Sequence, residues 1–202
     1  MAGFPKLQES PYDAFGTGHS STSISAALGI AYAQAIQNIS GHVIAVIGDG
    51  ALSGGLAYEG LNNAGRFHRN FIVILNDNKM SISKNVGSMA RYLTHIRTKA
   101  GYLKIKGNVE TTIDKIPFIG RPLHQSISKS KNFIKQLFYP RTIFEDMGFV
   151  YYGPFDGHDL RKLITVFENT KNIDRPILLH VVTSKGKGYS FAEKNPGAFR
   201  CV

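Results

Sequence analysis

Two apolar, largely β-branched runs, Val43-Ile44-Ala45-Val46-Ile47 and Phe71-Ile72-Val73-Ile74-Leu75, each end in a short oxygen-rich motif. The motifs are Gly48-Asp49-Gly50 and Asn76-Asp77-Asn78, with 25 residues between Gly50 and Asn76. Continuous apolar runs of this length fit buried strands, so two buried strands are expected to end in polar loops. Asp49 offers a carboxylate and Asn78 an amide carbonyl, the hard oxygen ligands Mg²⁺ takes, with its other octahedral positions left for water and phosphate oxygens. Charge supports the same choice. A diphosphate and Mg²⁺ nearly balance, so one carboxylate and one neutral carbonyl suffice, whereas a second carboxylate would repel the phosphates. The backbone carbonyl of Met80 is a further candidate for the metal shell.

Competing explanations of the first motif are weaker. Asp-Gly is a strong hairpin signal, but a helical segment follows it instead of a returning strand. The dinucleotide fingerprint would need glycine at position 53, where Ser53 stands, and no Gly-Lys-Ser/Thr follows a strand. Asn76-Asp77-Asn78 alone would pass for an ordinary polar loop; spacing and strand context together favour a diphosphate and metal site.

The surrounding pattern is α/β. Ile24, Leu28, Tyr32 and Ile36 recur at intervals of four after Gly16-Thr17-Gly18-His19-Ser20, predicting a helix whose start suits a phosphate. Asn38-Ile39-Ser40-Gly41 closes it. Residues 51–64 read as one helix stopped by Gly65, and 142–147 as another. Phe149 to Tyr152 reads as a strand followed by a turn at Gly153-Pro154-Phe155-Asp156-Gly157. A helix over 158–169 is expected to bury Leu160, Leu163, Ile164 and Phe167, and Ile177 to Val182 is the last strand. Strands alternating with helices predict a mainly parallel sheet with helices on both faces. Ligands in such sheets sit beyond the strand carboxyl ends, where Asp49, Asn78 and Lys185-Gly186-Lys187-Gly188-Tyr189 fall. Residues 84–125 lack sustained periodicity and read as a long mobile excursion, with a helix returning near 126–138.

Composition narrows the class. With 202 residues, 43% apolar and 19% charged, one globular domain is the default. No apolar stretch approaches the ~20 residues of a membrane helix, and no leader opens the chain, which predicts a cytoplasmic protein with no membrane partner. The single cysteine, Cys201, argues against a disulfide framework. Net charge is +10, and between Arg97 and Arg141 ten basic side chains face two acids, a local excess of eight. No nucleic-acid motif accompanies that segment, so no nucleic-acid partner is expected and a solvated basic face is the simpler account.

Longer motifs identify a family. Ser10-Pro11-Tyr12-Asp13-Ala14-Phe15-Gly16-Thr17-Gly18-His19-Ser20-Ser21-Thr22-Ser23, Gly50-Ala51-Leu52-Ser53-Gly54-Gly55, Met80-Ser81-Ile82-Ser83, Gly153-Pro154-Phe155-Asp156-Gly157-His158-Asp159 and Lys185-Gly186-Lys187-Gly188-Tyr189 closely resemble the bacterial 1-deoxy-D-xylulose-5-phosphate synthases. The span from Gly48 to Asn78 matches the thiamine-diphosphate signature. That resemblance implies a thiamine-diphosphate-binding fold and a transketolase-type transferase that condenses pyruvate with glyceraldehyde 3-phosphate and releases CO₂. Its product would feed isoprenoid, thiamine and pyridoxal synthesis. By family motif, Gly18, His19, Ser20, Gly50, Ala51, Asn78 and Tyr189 contact thiamine diphosphate, and Asp49 and Asn78 ligate Mg²⁺. Catalytic residues stay unassigned.

The family's chain is roughly three times longer, with further domains of ordinary size. Residues 1–202 therefore read as a diphosphate-binding domain truncated at both ends. The expected assembly is a homodimer or a pairing with a partner carrying the missing domains, and the isolated chain is expected to be inactive. Phe199-Arg200-Cys201 stands where the family has Phe-His-Gly, placing Arg200 at a histidine position. Half of a split transketolase-type enzyme and a non-catalytic basic binding module are the alternatives.

Overall fold

A computed structural model describes residues 3–78, 87–98 and 141–199. The predicted helix after Ser20 runs as α1 (Ser23–Gln37), ended by Asn38 in the left-handed conformation (φ 55°) that asparagine tolerates at a helix terminus. Strand β1 (Ile44–Gly48) passes directly into the one-turn helix α2 (Asp49–Leu52), then α3 (Gly55–Ala64) and β2 (Phe71–Asp77). Residues 88–98 form helix α4. After residue 140 come α5 (Ile143–Asp146), β3 (Val150–Asp156), α6 (Leu160–Thr170), β4 (Pro176–Val182) and α7 (Ser190–Lys194). A Thr142 and Glu145 capping box fixes the start of α5, a motif worth about 1 kcal/mol.

The four strands among the described residues are parallel, in the order β1-β2-β4-β3. On one face, Ile24 and Leu28 of α1, Leu61 of α3, Leu93 of α4 and Phe144 of α5 pack against Phe71, Leu75 and Leu178 in the main core. On the other, Val166 and Phe167 of α6 meet Ile72, Ile177 and Leu179. The sheet thus carries helices on both faces, as the alternation predicted. Among the described residues, no helix is long and apolar enough to cross a membrane.

Several expectations need correction. The predicted helix 51–64 is two helices, broken at Ser53-Gly54. The predicted turn at 153–157 is mostly strand, because β3 continues to Asp156 through a register shift between Tyr152 and Phe155. Strand β1 is not buried on both faces: it lies at the sheet edge, and Ile44 (45%) and Val46 (58%) are exposed. Four-residue spacing also overstates a helix face, since each step of four overshoots 3.6 residues per turn by about 40°. In α1 the buried stripe is Ile24, Ala27, Leu28 and Ala31, while Ile36 has rotated into the open. In α6, Leu163, Val166, Phe167 and Thr170 turn inward, and Leu160 and Ile164 are exposed. The expected helix at 126–138, and the excursion apart from 87–98, lie outside the described residues.

Candidate functional site

Register sets the geometry of the strand ends. Gly48 pairs with Asn76, and Asp77 pairs with Val182, so β1, β2 and β4 finish side by side. Adjacent strands lie about 4.8 Å apart, and Asp49 leaves β1 level with the end of β2. It opens α2 and is only 5% exposed. Burial, then the nearby charge of Asp77, pushes its carboxyl above the ordinary carboxylate range.

A second segment meets this turn. Ser21, at φ 69°, donates its hydroxyl to the Ala51 carbonyl at 2.6 Å. The bond ties the residue that follows Gly18-His19-Ser20 to the turn that follows Gly50, although 30 residues separate Ser21 from Ala51. Glycine at position 54 permits the approach: a Cβ there would lie 2.4 Å from Ser21 Oγ. The loop also braces itself, with the His19 amide donating to Thr17 Oγ1 at 3.2 Å and Thr22 Oγ1 donating to the His19 carbonyl at 3.1 Å.

Asn78 opens onto a cavity of about 340 Å³ lined by Val182, Thr183, Ser184, Lys185, Glu193 and Pro196. The end of β2 is fastened to β4: the Thr183 hydroxyl donates to Asn76 Oδ1 at 2.7 Å, and its amide to the Asp77 carbonyl at 3.0 Å. Glu193 holds the glycine-rich loop by accepting from the Gly188 amide at 2.8 Å. Tyr189 is half exposed, its ring set against Phe191 and Phe199. His158 braces a turn, as its Nε2 accepts from the Ser184 amide at 2.8 Å. Met80 and Arg200 lie outside the described residues.

The sequence analysis missed a buried polar chain behind the strand ends. Asp77 is fully buried; Arg97 of α4 forms an ion pair with its Oδ2, and His180 Nε2 bonds the same oxygen at 3.0 Å. His180 Nδ1 bonds the Tyr151 hydroxyl at 2.8 Å. A carboxylate only accepts, so Nε2 carries a proton and, in the neutral tautomer, Tyr151 donates to Nδ1. Burial alone would raise the Asp77 carboxyl, but the His180 hydrogen bond and the Arg97 charge outweigh it and hold it below the ordinary range. Burial pushes the Tyr151 phenol up, keeping it protonated. One signal was available: His180 interrupts the apolar run Pro176–Val182, and a buried imidazole needs polar partners.

The donor set fits a hard cation beside a diphosphate. Among the described residues, no three His, Cys, Asp or Glu side chains converge as a metal cage. An ion held by Asp49 and Asn78 would leave positions open for phosphate oxygens, the usual manner of Mg²⁺.

Comparison with known proteins places the chain. A family model described as 1-deoxy-D-xylulose-5-phosphate synthase matches residues 1–183. The chain is 54% identical over 199 residues to the 1-deoxy-D-xylulose-5-phosphate synthase of Caldanaerobacter subterraneus subsp. tengcongensis, covering 98% of this chain and 32% of that protein. It is 52% identical over 202 residues to the enzyme of the same name from Syntrophomonas wolfei, covering 100% of this chain and 32% of that one. Transketolase from Leishmania mexicana superposes with a TM-score of 0.52 at 20% identity, over 87% of this chain and 21% of that structure, a likeness of fold. The chain thus spans about a third of the length of the curated relatives it matches.

Proposed function

The chain belongs to the 1-deoxy-D-xylulose-5-phosphate synthase family, and from that premise we propose that it is the diphosphate-binding and Mg²⁺-binding part of a thiamine-diphosphate enzyme. The proposed overall reaction condenses pyruvate with glyceraldehyde 3-phosphate and releases CO₂, in isoprenoid, thiamine and pyridoxal synthesis in the cytoplasm. The observation that carries the reading is the side-by-side ending of β1 and β2, which brings Asp49 and Asn78 to one edge of the sheet.

In this proposal Asp49 and Asn78 hold Mg²⁺, while Gly18, His19, Ser20, Gly50, Ala51, Asn78 and Tyr189 hold thiamine diphosphate. The cofactor, when bound, supplies the carbanion and electron-sink chemistry. The residues of this chain bind and orient. Asp49 contributes the one carboxylate the cation needs, and its burial strengthens that attraction over what water would allow. The Ser21 bond to the Ala51 carbonyl, with Gly54 leaving room for it, supports a loop at Gly18-His19-Ser20 that is tied to the Gly50-Ala51 turn in the ligand-free chain. That preorganisation lowers the ordering cost of binding.

Turnover is assigned to this chain together with the portions of the relatives' length beyond its span, in the same polypeptide or in a partner, as a homodimer or a mixed assembly. The test is carboligation by the 202-residue chain with pyruvate, glyceraldehyde 3-phosphate, Mg²⁺ and thiamine diphosphate. No product is expected from it alone, and sustained product formation would contradict the division of labour.

A further inference from the structure

We propose that Arg97, acting with His180 and Tyr151, is a positioning residue that pins Asp77 and compensates its charge, so that the end of β2 presents Asn78 in a fixed place with no open carboxylate next to it. This rests on the diphosphate-site assignment and deepens it. Gly48 pairs with Asn76, so Asp77 ends β2 level with the Asp49 turn, and an open negative charge at Asp77 would repel a diphosphate bound there. Arg97 and His180 both bond Asp77 Oδ2. The polar chain continues to Tyr151 on β3, so helix α4 and three neighbouring strands meet at this one carboxylate.

Stability alone is a poor explanation for such a group, since apolar residues of similar volume often replace a buried ion pair at no loss. Its location offers a better one. Asp77 immediately precedes Asn78, and its own carbonyl accepts the Thr183 amide at 3.0 Å. Loosening the carboxylate would therefore loosen the rail that carries Asn78.

The experiment compares Arg97→Met, Arg97→Lys, the double variant Arg97→Met with Asp77→Asn, and Ile177→Ala as a core control at the opposite end of β4. Amide hydrogen exchange on the whole chain without ligand gives the first readout, as the ratio of Thr183 to Ile72, whose amide bonds Val43 at the start of β2. Arg97→Met is expected to raise that ratio about tenfold and Arg97→Lys less than about threefold. A ratio that stays at the wild-type value in Arg97→Met, or that rises equally in Ile177→Ala, would overturn the proposal. Should Arg97→Met fail to fold, Tyr151→Phe takes its place, with a rise of about threefold expected and no rise counting against the idea.

Thiamine-diphosphate affinity in Mg²⁺ is the second readout. Arg97→Met should bind about tenfold more weakly and the double variant within about threefold of wild type, because removing the carboxylate removes the need for its partner. A double variant as weak as Arg97→Met overturns the charge argument. If the wild-type chain binds no thiamine diphosphate at all, the diphosphate-site assignment fails, and the exchange ratio still decides whether Arg97 positions the strand end.

Discussion

Asp49 and Asp77 are both buried carboxylates at the ends of adjacent strands, yet they are driven in opposite directions. Burial and the charge of Asp77 raise Asp49, whereas His180 and Arg97 overcome burial at Asp77 and lower it. The difference separates two duties. In the proposed assignment Asp49 is the carboxylate that would receive the cation, and its burial makes it costly to ionise, whereas Asp77 is held by Arg97 and His180. Asp77, placed inside the diphosphate signature, belongs with the scaffold.

The largest expected effect falls on the paired carboxylate. Arg97→Met strands a buried charge and should cost about 3 kcal/mol of unfolding free energy, read from urea denaturation; a loss below about 0.5 kcal/mol would erase the contrast. Asp49→Ala should weaken Mg²⁺-dependent thiamine-diphosphate binding by at least about a hundredfold, roughly 2.7 kcal/mol, without lowering the ligand-free melting temperature. Titration calorimetry and thermal unfolding measure the two halves, and unchanged affinity would remove Asp49 from the metal site. Gly54→Ala should cost about 1–3 kcal/mol, since the new methyl meets the Ser21 hydroxyl and forces it off the Ala51 carbonyl. Affinity should fall in that variant even where it folds.

The smallest effect concerns pH, and its sign distinguishes the two groups. For Asp77, with its folded value below 3.8, stability is fully present above that ordinary value and is lost as pH falls through the folded one. For Asp49, with its folded value above 3.8, stability is fully present below the ordinary value and declines as pH rises through the folded one. Asp49→Asn should therefore gain stability relative to wild type as pH climbs from the ordinary carboxylate value through the raised folded one. Urea midpoints at several pH values test this, and parallel curves for the two proteins would contradict it.

Contiguous features were legible in the sequence. The strands showed as apolar runs, and the fold class followed from their alternation with helices. The motifs of the candidate site are likewise local stretches that follow strand ends. Features that depend on three-dimensional closure did not show. His180 lies 103 residues from Asp77, and Ser21 lies 30 from Ala51, so no spacing rule encodes either bond. Edge position was equally hidden, because the β1 sequence reads the same whether one face or two are covered. The exposed Leu160 and Ile164 record a limit of periodicity itself: a stripe of apolar residues fixes a helix but leaves its rotation to packing.

The central claim is that Asp49 and Asn78, which follow the ends of the paired strands β1 and β2, hold Mg²⁺ against the diphosphate of thiamine diphosphate. Backbone NMR titration of the chain tests it most directly, because it detects weak as well as tight binding. The account predicts that thiamine diphosphate with Mg²⁺ shifts the amides of Gly50, Ala51 and Asn78 together, that thiamine diphosphate without metal does not, and that Asp49→Ala abolishes the response. Equal shifts with and without Mg²⁺, or a full response in Asp49→Ala, would contradict it.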